Sequence, residues 1–534
     1  MSSESQHHAN IGYKKLFKPV FERYEKSRLY FVQTTCDFSQ KAELSDPLRE
    51  DGIVFLLLPL LLDPSPVIQR LATVSLGRLA NNNADIADDL IKKNVIPLMV
   101  DRLLQDKRNT NNTPSPYQLY KRAAAFVLRA VAKHCPEFAQ AIVDVEGLNA
   151  LEICLQESDS MVKESAAYAI ANISKHTEEL ASFVVKKGIF PLLIKCLEVG
   201  EINLTKTVAM AILEISKYSG PLKEALNEND CIHTICQLIT TSDNRIKLLL
   251  IPILIFIVRS SDELAQKVVE KNAVPSVCTM LLEDDQNIVK NAASFLYEMA
   301  NQSLEVAQSV VNSGAIPIVI KYLQKKYFKD DVRTSGIMFL GQIASHAENL
   351  AAVVIENKAV PILCSILTEE DCSECTKEAT AWALGHIGSH NADHARVVGE
   401  NNGLVWLLVT AHDGRLSADI RMKSKKSLRM ILEHCEHQAS LEALIQDCPL
   451  DIMELVLAQY SKILLYNVRA RIGFIMVGAL KKIQELKTEG RTEINQYIHT
   501  INSCFPEEVV KYYTPSYLQE LLTKVEEYKP VKQH

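Results

Sequence analysis

The same pattern of hydrophobic and polar residues recurs at regular intervals along the chain. Five four-residue segments begin with Gly, Asn or Lys and end with Pro, and three weaker copies lack the proline. The last positions of the eight segments are residues 55, 97, 150, 191, 233, 275, 317 and 361, so the steps are 42, 53, 41, 42, 42, 42 and 44 residues. This regularity predicts internal repeats with a period of about 42 residues.

Each repeat is predicted to contain three helices. Before the four-residue segment, apolar residues recur at i, i+1, i+4 and i+5, as in residues 264–269, and a longer helical pattern follows it, as in residues 162–173. Gly or Asn is typical of the end of a first short helix, and Pro fits the first turn of the next. Three helices in about 42 residues predict an all-α armadillo-repeat solenoid, in which neighbouring repeats stack on a shared core.

The repeat pattern also sets the expected domain boundaries. Residues 1–20 form a polar N-terminal tail, and residues 21–410 form armadillo repeats interrupted by a polar insert loop at 107–118. Residues 411–486 form divergent repeats, in which 449–465 resembles a second helix and 468–486 a single long helix. The period is lost in residues 487–534, which are therefore expected to form a non-repeat tail.

Composition narrows the class of protein. The chain has 534 residues and a net charge of −7, so its total charge gives no reason to expect nucleic-acid binding. The longest apolar run, residues 248–258, is shorter than the roughly 20 residues of a membrane-spanning helix. The polar N-terminus does not resemble a signal peptide, and the 13 cysteines show no disulfide framework. We therefore expect a cytoplasmic protein with reduced thiols and no membrane partner.

Candidate chemistry in the sequence is sparse. There is no phosphate-binding loop, dinucleotide-binding glycine motif or hydrolase motif. Cys372 and Cys375 form a single C-x-x-C pair without the second pair that a structural zinc site needs. Histidines recur at one repeat position just after the third helix, which indicates a consensus repeat residue: His134, His176, His346 and His390. The sequence predicts no enzyme, no cofactor, no metal and no small-molecule substrate.

Two basic groups are candidates for partner binding. One is a row at the ends of four consecutive third helices, the basic row: Lys133, Lys175, Lys217 and Arg259. The other lies on a later helix, the basic cluster: Lys423, Lys425, Lys426 and Arg429. Cations also stabilise helix C-termini, and charge runs often only face solvent, so both interpretations stay open for each group. An acidic partner would bind either group through charge complementarity.

The C-terminal tail carries more apolar and aromatic surface than a solvated tail requires. Four of its residues are predicted to dock on the last repeats or on a neighbouring copy: Phe505, Pro506, Tyr512 and Tyr513. The second possibility predicts a homo-oligomer.

Several segments together resemble a known family. They are the Lys-His steps at 133–134 and 175–176, the Leu-Ala-Gln-x-Val-Val copies, residues 379–390 and, most specifically, tail residues 501–515. Over about residues 20 to 530 the chain resembles the sperm-associated antigen six family of axonemal armadillo proteins.

The resemblance implies a non-catalytic scaffold of the central apparatus of motile cilia and flagella, needed for axoneme integrity and motility. It implies axonemal partner proteins, tubulin or microtubules, and a location in the cytoskeleton of the axoneme. The alternative is a cytosolic armadillo adaptor that binds extended peptides in its groove. Only Trp382 and Asn172 remain of the Trp and Asn rows that grip peptides in such adaptors, which argues against the alternative.

Overall fold

The computed structural model describes residues 4–104, 116–227, 231–325, 327–446, 448–488 and 490–527. Most of the insert predicted at 107–118 lies outside these residues. Within the described ranges the regular structure is helical and contains no strand. The chain divides into two compact units, residues 1–260 and 261–534.

The first unit consists of repeated sets of two short helices and one long helix. Its α-helices are α1 Glu4–Phe38, α2 Ser45–Glu50, α3 Ile53–Leu57, α4 Pro66–Asn82, α5 Ala84–Lys92, α6 Val95–Leu104, α7 Pro116–Ala132, α8 Pro136–Asp144, α9 Gly147–Leu155, α10 Ser160–Ser174, α11 Glu178–Lys186, α12 Ile189–Leu197, α13 Ile202–Ser216, α14 Ser219–Asn227, α15 Cys231–Thr241 and α16 Asn244–Ser260. Two 3₁₀ helices, Ala42–Leu44 and Leu58–Leu62, lie near its start. The long helices α4, α7, α10, α13 and α16 pack in succession.

The second unit continues the same order of helices. Its helices are α17 Asp262–Glu270, α18 Ala273–Met280, α19 Gln286–Ala300, α20 Leu304–Asn312, α21 Ala315–Leu323, α22 Asp330–His346, α23 Glu348–Glu356, α24 Ala359–Thr368, α25 Glu374–Gly388, α26 Ala392–Glu400, α27 Gly403–His412, α28 Ala418–Leu432, α29 Gln438–Ile445, α30 Leu450–Tyr466, α31 Val468–Met476, α32 Ala479–Glu485, α33 Thr492–Asn502, α34 Glu507–Tyr512 and α35 Tyr517–Glu526. Here α19, α22, α25, α28, α30 and α33 pack in succession.

The long helices supply the core because equivalent apolar residues meet between neighbours. The first unit has one such buried row: Leu76, Leu128, Ile170, Ile212 and Leu254. The second has another: Leu296, Leu340, Leu384 and Leu428. Within each unit, neighbouring repeats therefore share an apolar face, and the predicted all-α armadillo-repeat fold is confirmed.

The corner between the first and second helix of a repeat has left-handed backbone. Its residues, hereafter the corner residues, all have φ between 55° and 76°: Gly52, Asn94, Glu146, Gly188, Asn272, Gly314, Lys358, Asn402 and Gly478. At one corner the expected alignment is wrong by a residue, because Glu146 and not Gly147 is left-handed. Gly147 begins α9, where an added Cβ would lie 2.4 Å from Ile142 Cγ2.

The helix expected over residues 468–486 is two helices in the structure. Gly478 has a φ of 75° and separates α31 from α32, so this segment is a first and a second helix. The segment expected to be a second helix, residues 449–465, is instead the long helix α30, which packs against α28 and α33.

Among the described residues, no single helix is both long enough and apolar enough to cross a membrane. Two helix pairs meet the length and composition criteria only when combined, α20 with α21 and α23 with α24, and they bend by 72° and 77°.

Candidate interaction surfaces

The first two lysines of the basic row bind carbonyl oxygens of the preceding repeat. Lys133 Nζ donates a hydrogen bond to Asn81 O at the end of α4, at 3.1 Å. Lys175 Nζ donates to Lys133 O at 2.8 Å and to Asn172 Oδ1 at 3.1 Å. The last carbonyls of a helix lack partners within the helix and carry partial negative charge. These lysines therefore cap the long helix before their own.

The two remaining members of the basic row, Lys217 and Arg259, lie at the surface. Lys217 forms an ion pair with Glu214 at 2.5 Å, and Arg259 is exposed at the end of α16. Lys175 is half-buried, and its pKa is lowered mainly by burial, with a further contribution from Lys133 and Lys217. The positive charges of Lys133 and Lys217 thus both repel that of Lys175, which lies between them in the row.

The recurring histidines also cap helices, which the sequence did not reveal. His134 Nε2 lies 2.6 Å from Ala80 O, and His176 Nε2 lies 2.7 Å from Ala132 O. In the second unit, His346 and His390 make the same contact with Ala300 O and Ala344 O, at 2.5 and 2.6 Å. Because a carbonyl only accepts, Nε2 must carry the hydrogen in each pair. Each histidine therefore joins its repeat to the one before it.

Arg129 is a surface residue that sequence reasoning missed. Its guanidinium carbon lies 3.5 Å from the centre of the Tyr168 ring and 5.7 Å from that of Phe126. Stacking on aromatic faces holds a guanidinium in place while leaving its edge available to an anion. Arg129 precedes Lys133 by one helical turn, and this spacing is the signal that could have identified it.

The basic cluster lies on α28 and is partly neutralised. Lys423 pairs with Glu378, and Lys425 pairs with Asp451 at 2.5 Å. Lys426 and Arg429 are exposed. Burial lowers the pKa of His386, and the charge of Lys426 lowers it further. The free positive charge of this cluster therefore centres on Lys426 and Arg429.

The structure separates the four tail residues. Phe505 is buried and stacks on Phe474 with ring centres 6.1 Å apart, while Pro506 precedes α34. Tyr512 is exposed, and the centre of its ring lies 5.1 Å from the centre of the Tyr513 ring. Only the start of the tail thus contributes to the described core of the second unit.

Side chains that could together bind a metal ion are not assembled in the part of the chain that the structure describes. No group of three or more His, Cys, Asp or Glu side chains there could hold a metal ion. The described cysteines are all free thiols. Cys372 is buried and Cys375 exposed, and burial raises the pKa of the Cys372 thiol. A thiol of raised pKa is a weaker nucleophile at neutral pH, because less of it is ionised.

Comparisons with known proteins find a partial relative. The chain is 43% identical over 115 residues to human sperm-associated antigen 6, and 42% identical over 115 residues to the mouse protein. Each match covers 22% of this chain and 23% of the relative. The predicted resemblance is confirmed over that segment, which is much shorter than residues 20 to 530. No protein-family model matches the chain.

Solved structures support the fold. An engineered protein is similar over 84% of this chain and 98% of its own, with a TM-score of 0.63 and 20% identity. A designed armadillo repeat protein for modular peptide recognition matches over 46% of this chain and 99% of its own, with a TM-score of 0.42 and 22% identity. The likeness to the engineered protein thus agrees with the all-helical repeat fold described above.

Proposed function

We propose that this protein is a non-catalytic scaffold of the central apparatus of motile cilia or flagella. The observation that carries the proposal is the 43% identity to sperm-associated antigen 6. The stacked repeats suit such a role, because each adds surface without requiring an enclosed site. The partners we propose are axonemal proteins and microtubules.

Localisation tests the proposal directly. A tagged copy expressed in a motile ciliated cell should lie along the centre of the axoneme and remain there after detergent extraction. Loss of the gene should disturb the central microtubules and reduce motility. Diffuse cytosolic signal that is lost on extraction would favour a cytosolic adaptor for extended peptides and would contradict the proposal.

We further propose that exposed cations of the basic row or the basic cluster contact the acidic surface of microtubules. The chain is net −7, so attraction must come from local patches. A single exposed ion pair contributes at most about 1 kcal/mol, so several must act together. Arg129, held on Tyr168 beside Lys133, adds a fixed cation to the row.

Charge reversal separates the two surfaces. One variant carries Lys133→Glu and Lys217→Glu, and the other carries Lys426→Glu and Arg429→Glu. The matched control carries Lys186→Glu and Lys187→Glu, which change the charge equally at exposed positions at the end of α11. Co-sedimentation with microtubules should weaken with added salt and in one test variant, but not in the control. Binding that is unaffected by salt and by both reversals would identify a partner protein, not tubulin, as the anchor.

A further inference from the structure

Helix α31 is the most C-terminal of the described helices that open a repeat and precede a left-handed corner residue. Its outward face differs from that of the other opening helices. Eight other described first helices precede a left-handed corner residue: α2, α5, α8, α11, α17, α20, α23 and α26. Two residues before the corner, each of them has Glu, Lys, Asp or Asn, whereas α31 has Met476. Six residues before it, they have Asp, Gln, Ser, Ala or Arg, whereas α31 has Ile472. The internal repeats thus show that this face is normally polar.

These residues form an exposed apolar stripe. Val468, Ile472 and Met476 are 63%, 56% and 81% exposed, and their spacing of four places them along one side of α31. Leu465 and Tyr466, at the end of α30, are also exposed. We call these five residues the α31 patch. Contiguous apolar surface of this kind is typical of an interface.

Helix α35 of the same chain has the complementary properties. Its Leu521, Leu522 and Val525 are exposed, and it is ten residues long against nine for α31, so each helix extends about 14 Å. The segment 517–527 carries three glutamates against one lysine, whereas α31 carries two arginines and no acidic residue. Both apolar surfaces are exposed within one chain, so α35 does not cover the α31 patch in that chain.

We propose that α35 of a second copy of this chain covers the α31 patch. Leu522 and Val525 of each copy pack on Ile472 and Met476 of the other, and the glutamates of α35 lie near Arg469, which is exposed. Because each copy has one α35 and one α31 patch, a reciprocal exchange closes a two-fold dimer. Pairing of α31 with α31 would instead bring like charges together. The inference does not depend on the proposed ciliary role.

Sedimentation velocity across a concentration series tests the proposal with the full-length chain. The unmodified protein should pass from monomer to dimer as its concentration rises. Ile472→Glu with Met476→Glu should weaken the dimer at least about tenfold, which is about 1.4 kcal/mol. Leu522→Glu with Val525→Glu should do the same. The matched control, Gln308→Glu with Asn312→Glu, makes the same charge change at the equivalent positions of α20 and should leave the dimer intact.

Charge exchange tests the pairing itself. Arg469→Glu and Glu526→Arg should each weaken the dimer, and the double variant should recover most of the lost affinity. A protein that stays monomeric throughout the series, or a dimer unaffected by changes in α31 and α35, would overturn the proposal. Hydrogen exchange that shows residues 468–476 protected equally at all concentrations would also overturn it, because α35 would then act within its own chain.

Discussion

The buried hydroxyl of Tyr322 in α21 lies against the backbone of Gly336 in α22. Tyr322 is fully buried, and its hydroxyl has no hydrogen-bond partner among the described residues. Burial accordingly raises the pKa of Tyr322. A Cβ added at Gly336 would lie 1.7 Å from Tyr322 Oη, so the tyrosine fits only because residue 336 has no side chain. The two residues are therefore a coupled pair.

The pair gives a stability prediction. Tyr322→Phe should raise the free energy of unfolding by about 1 kcal/mol, because it removes an unsatisfied buried hydroxyl. Gly336→Ala should lower it by about 1–3 kcal/mol, because the ring must shift. The double variant should be more stable than the sum of the two single effects predicts, since the phenylalanine frees the space that the alanine methyl needs. Urea unfolding of the four proteins measures the coupling, and strictly additive effects would contradict it.

Three histidines make stability depend on pH. Burial lowers the pKa of His176, His386 and His394 below the ordinary value of 6.5. The unfolded chain then binds more protons than the folded chain once the pH falls below that value. The histidine contribution to stability is complete above pH 6.5 and is lost as the pH drops through and below it.

Glutamine substitution at the three histidines should flatten this dependence. The free energy of unfolding of the parent should fall between pH 7 and pH 5.5 by more than that of the triple variant. In His176→Gln the new amide would keep an N–H donor for Ala132 O, so the change removes the titration with little loss of the cap. Denaturant titrations at both pH values measure the difference. Equal losses in the two proteins would show that other groups cause it.

At the scale of elements, the corner residues show how backbone conformation limits sequence choice. Gly, Asn, Glu and Lys all occupy the left-handed position, although a side chain there costs about 1–2 kcal/mol relative to glycine. A Cβ at Gly314 would have no atom within 4 Å, so at this corner any penalty comes from the backbone alone. Lys358 holds the same position with a φ of 61°.

Adding a side chain at one corner and removing one at another measures the free-energy cost of a side chain in the left-handed conformation. Gly314→Ala should destabilise the protein by about 1–2 kcal/mol, and Lys358→Gly should stabilise it by up to about 1 kcal/mol. Gly414→Ala is the control, because its Cβ also meets no atom and its φ is not positive. Thermal or urea unfolding gives the comparison. A loss at Gly414 equal to that at Gly314 would mean that backbone handedness is not the cause.

The corners also show what the sequence could predict. Where Pro follows in the tetrad, as after Gly188 and Gly314, the corner was predicted correctly. Gly478 has no such proline, so the break between α31 and α32 was missed. At the corner formed by Glu146, the conformational freedom of glycine predicts Gly147 as the left-handed residue, whereas Gly147 is required by its close packing against Ile142.

The interaction surfaces were less predictable for a physical reason. Recurrence identified the histidine and lysine positions, but their partners are carbonyl oxygens of the preceding repeat. His134 and Ala80, for example, are 54 residues apart. Every residue offers the same backbone carbonyl, so the side-chain pattern contains no record of which one is contacted.

At the scale of the whole molecule, the first part of the tail completes the second unit. Helix α33 packs against α30 and buries Ile494 and Ile501. Phe505 stacks on Phe474, and the ring centres of Phe474 and Tyr460 are 4.7 Å apart. Each such side chain contributes about 1.5–3 kcal/mol when fully buried. The residues after 505 add no comparable buried apolar side chain in the described part of the chain.

Two truncations distinguish these parts of the tail. Ending the chain at residue 487 should lower the stability of the second unit by several kcal/mol, at about 1.5–3 kcal/mol for each buried side chain lost. It should also speed amide exchange in α30. Ending the chain at residue 515 keeps α33 and Phe505, so it should leave that exchange unchanged. Equal exchange rates in α30 after both truncations would contradict this account.

The histidine caps link helix ends to residues that are synthesised later. Ala80 O and Ala132 O are each capped by a histidine that lies later in the chain, and so are Ala300 O and Ala344 O. During synthesis the ribosome releases the N-terminal part of a protein first. The histidine that caps each of these four long helices is therefore made only after the helix itself, and the cap can form only once the following repeat has left the ribosome.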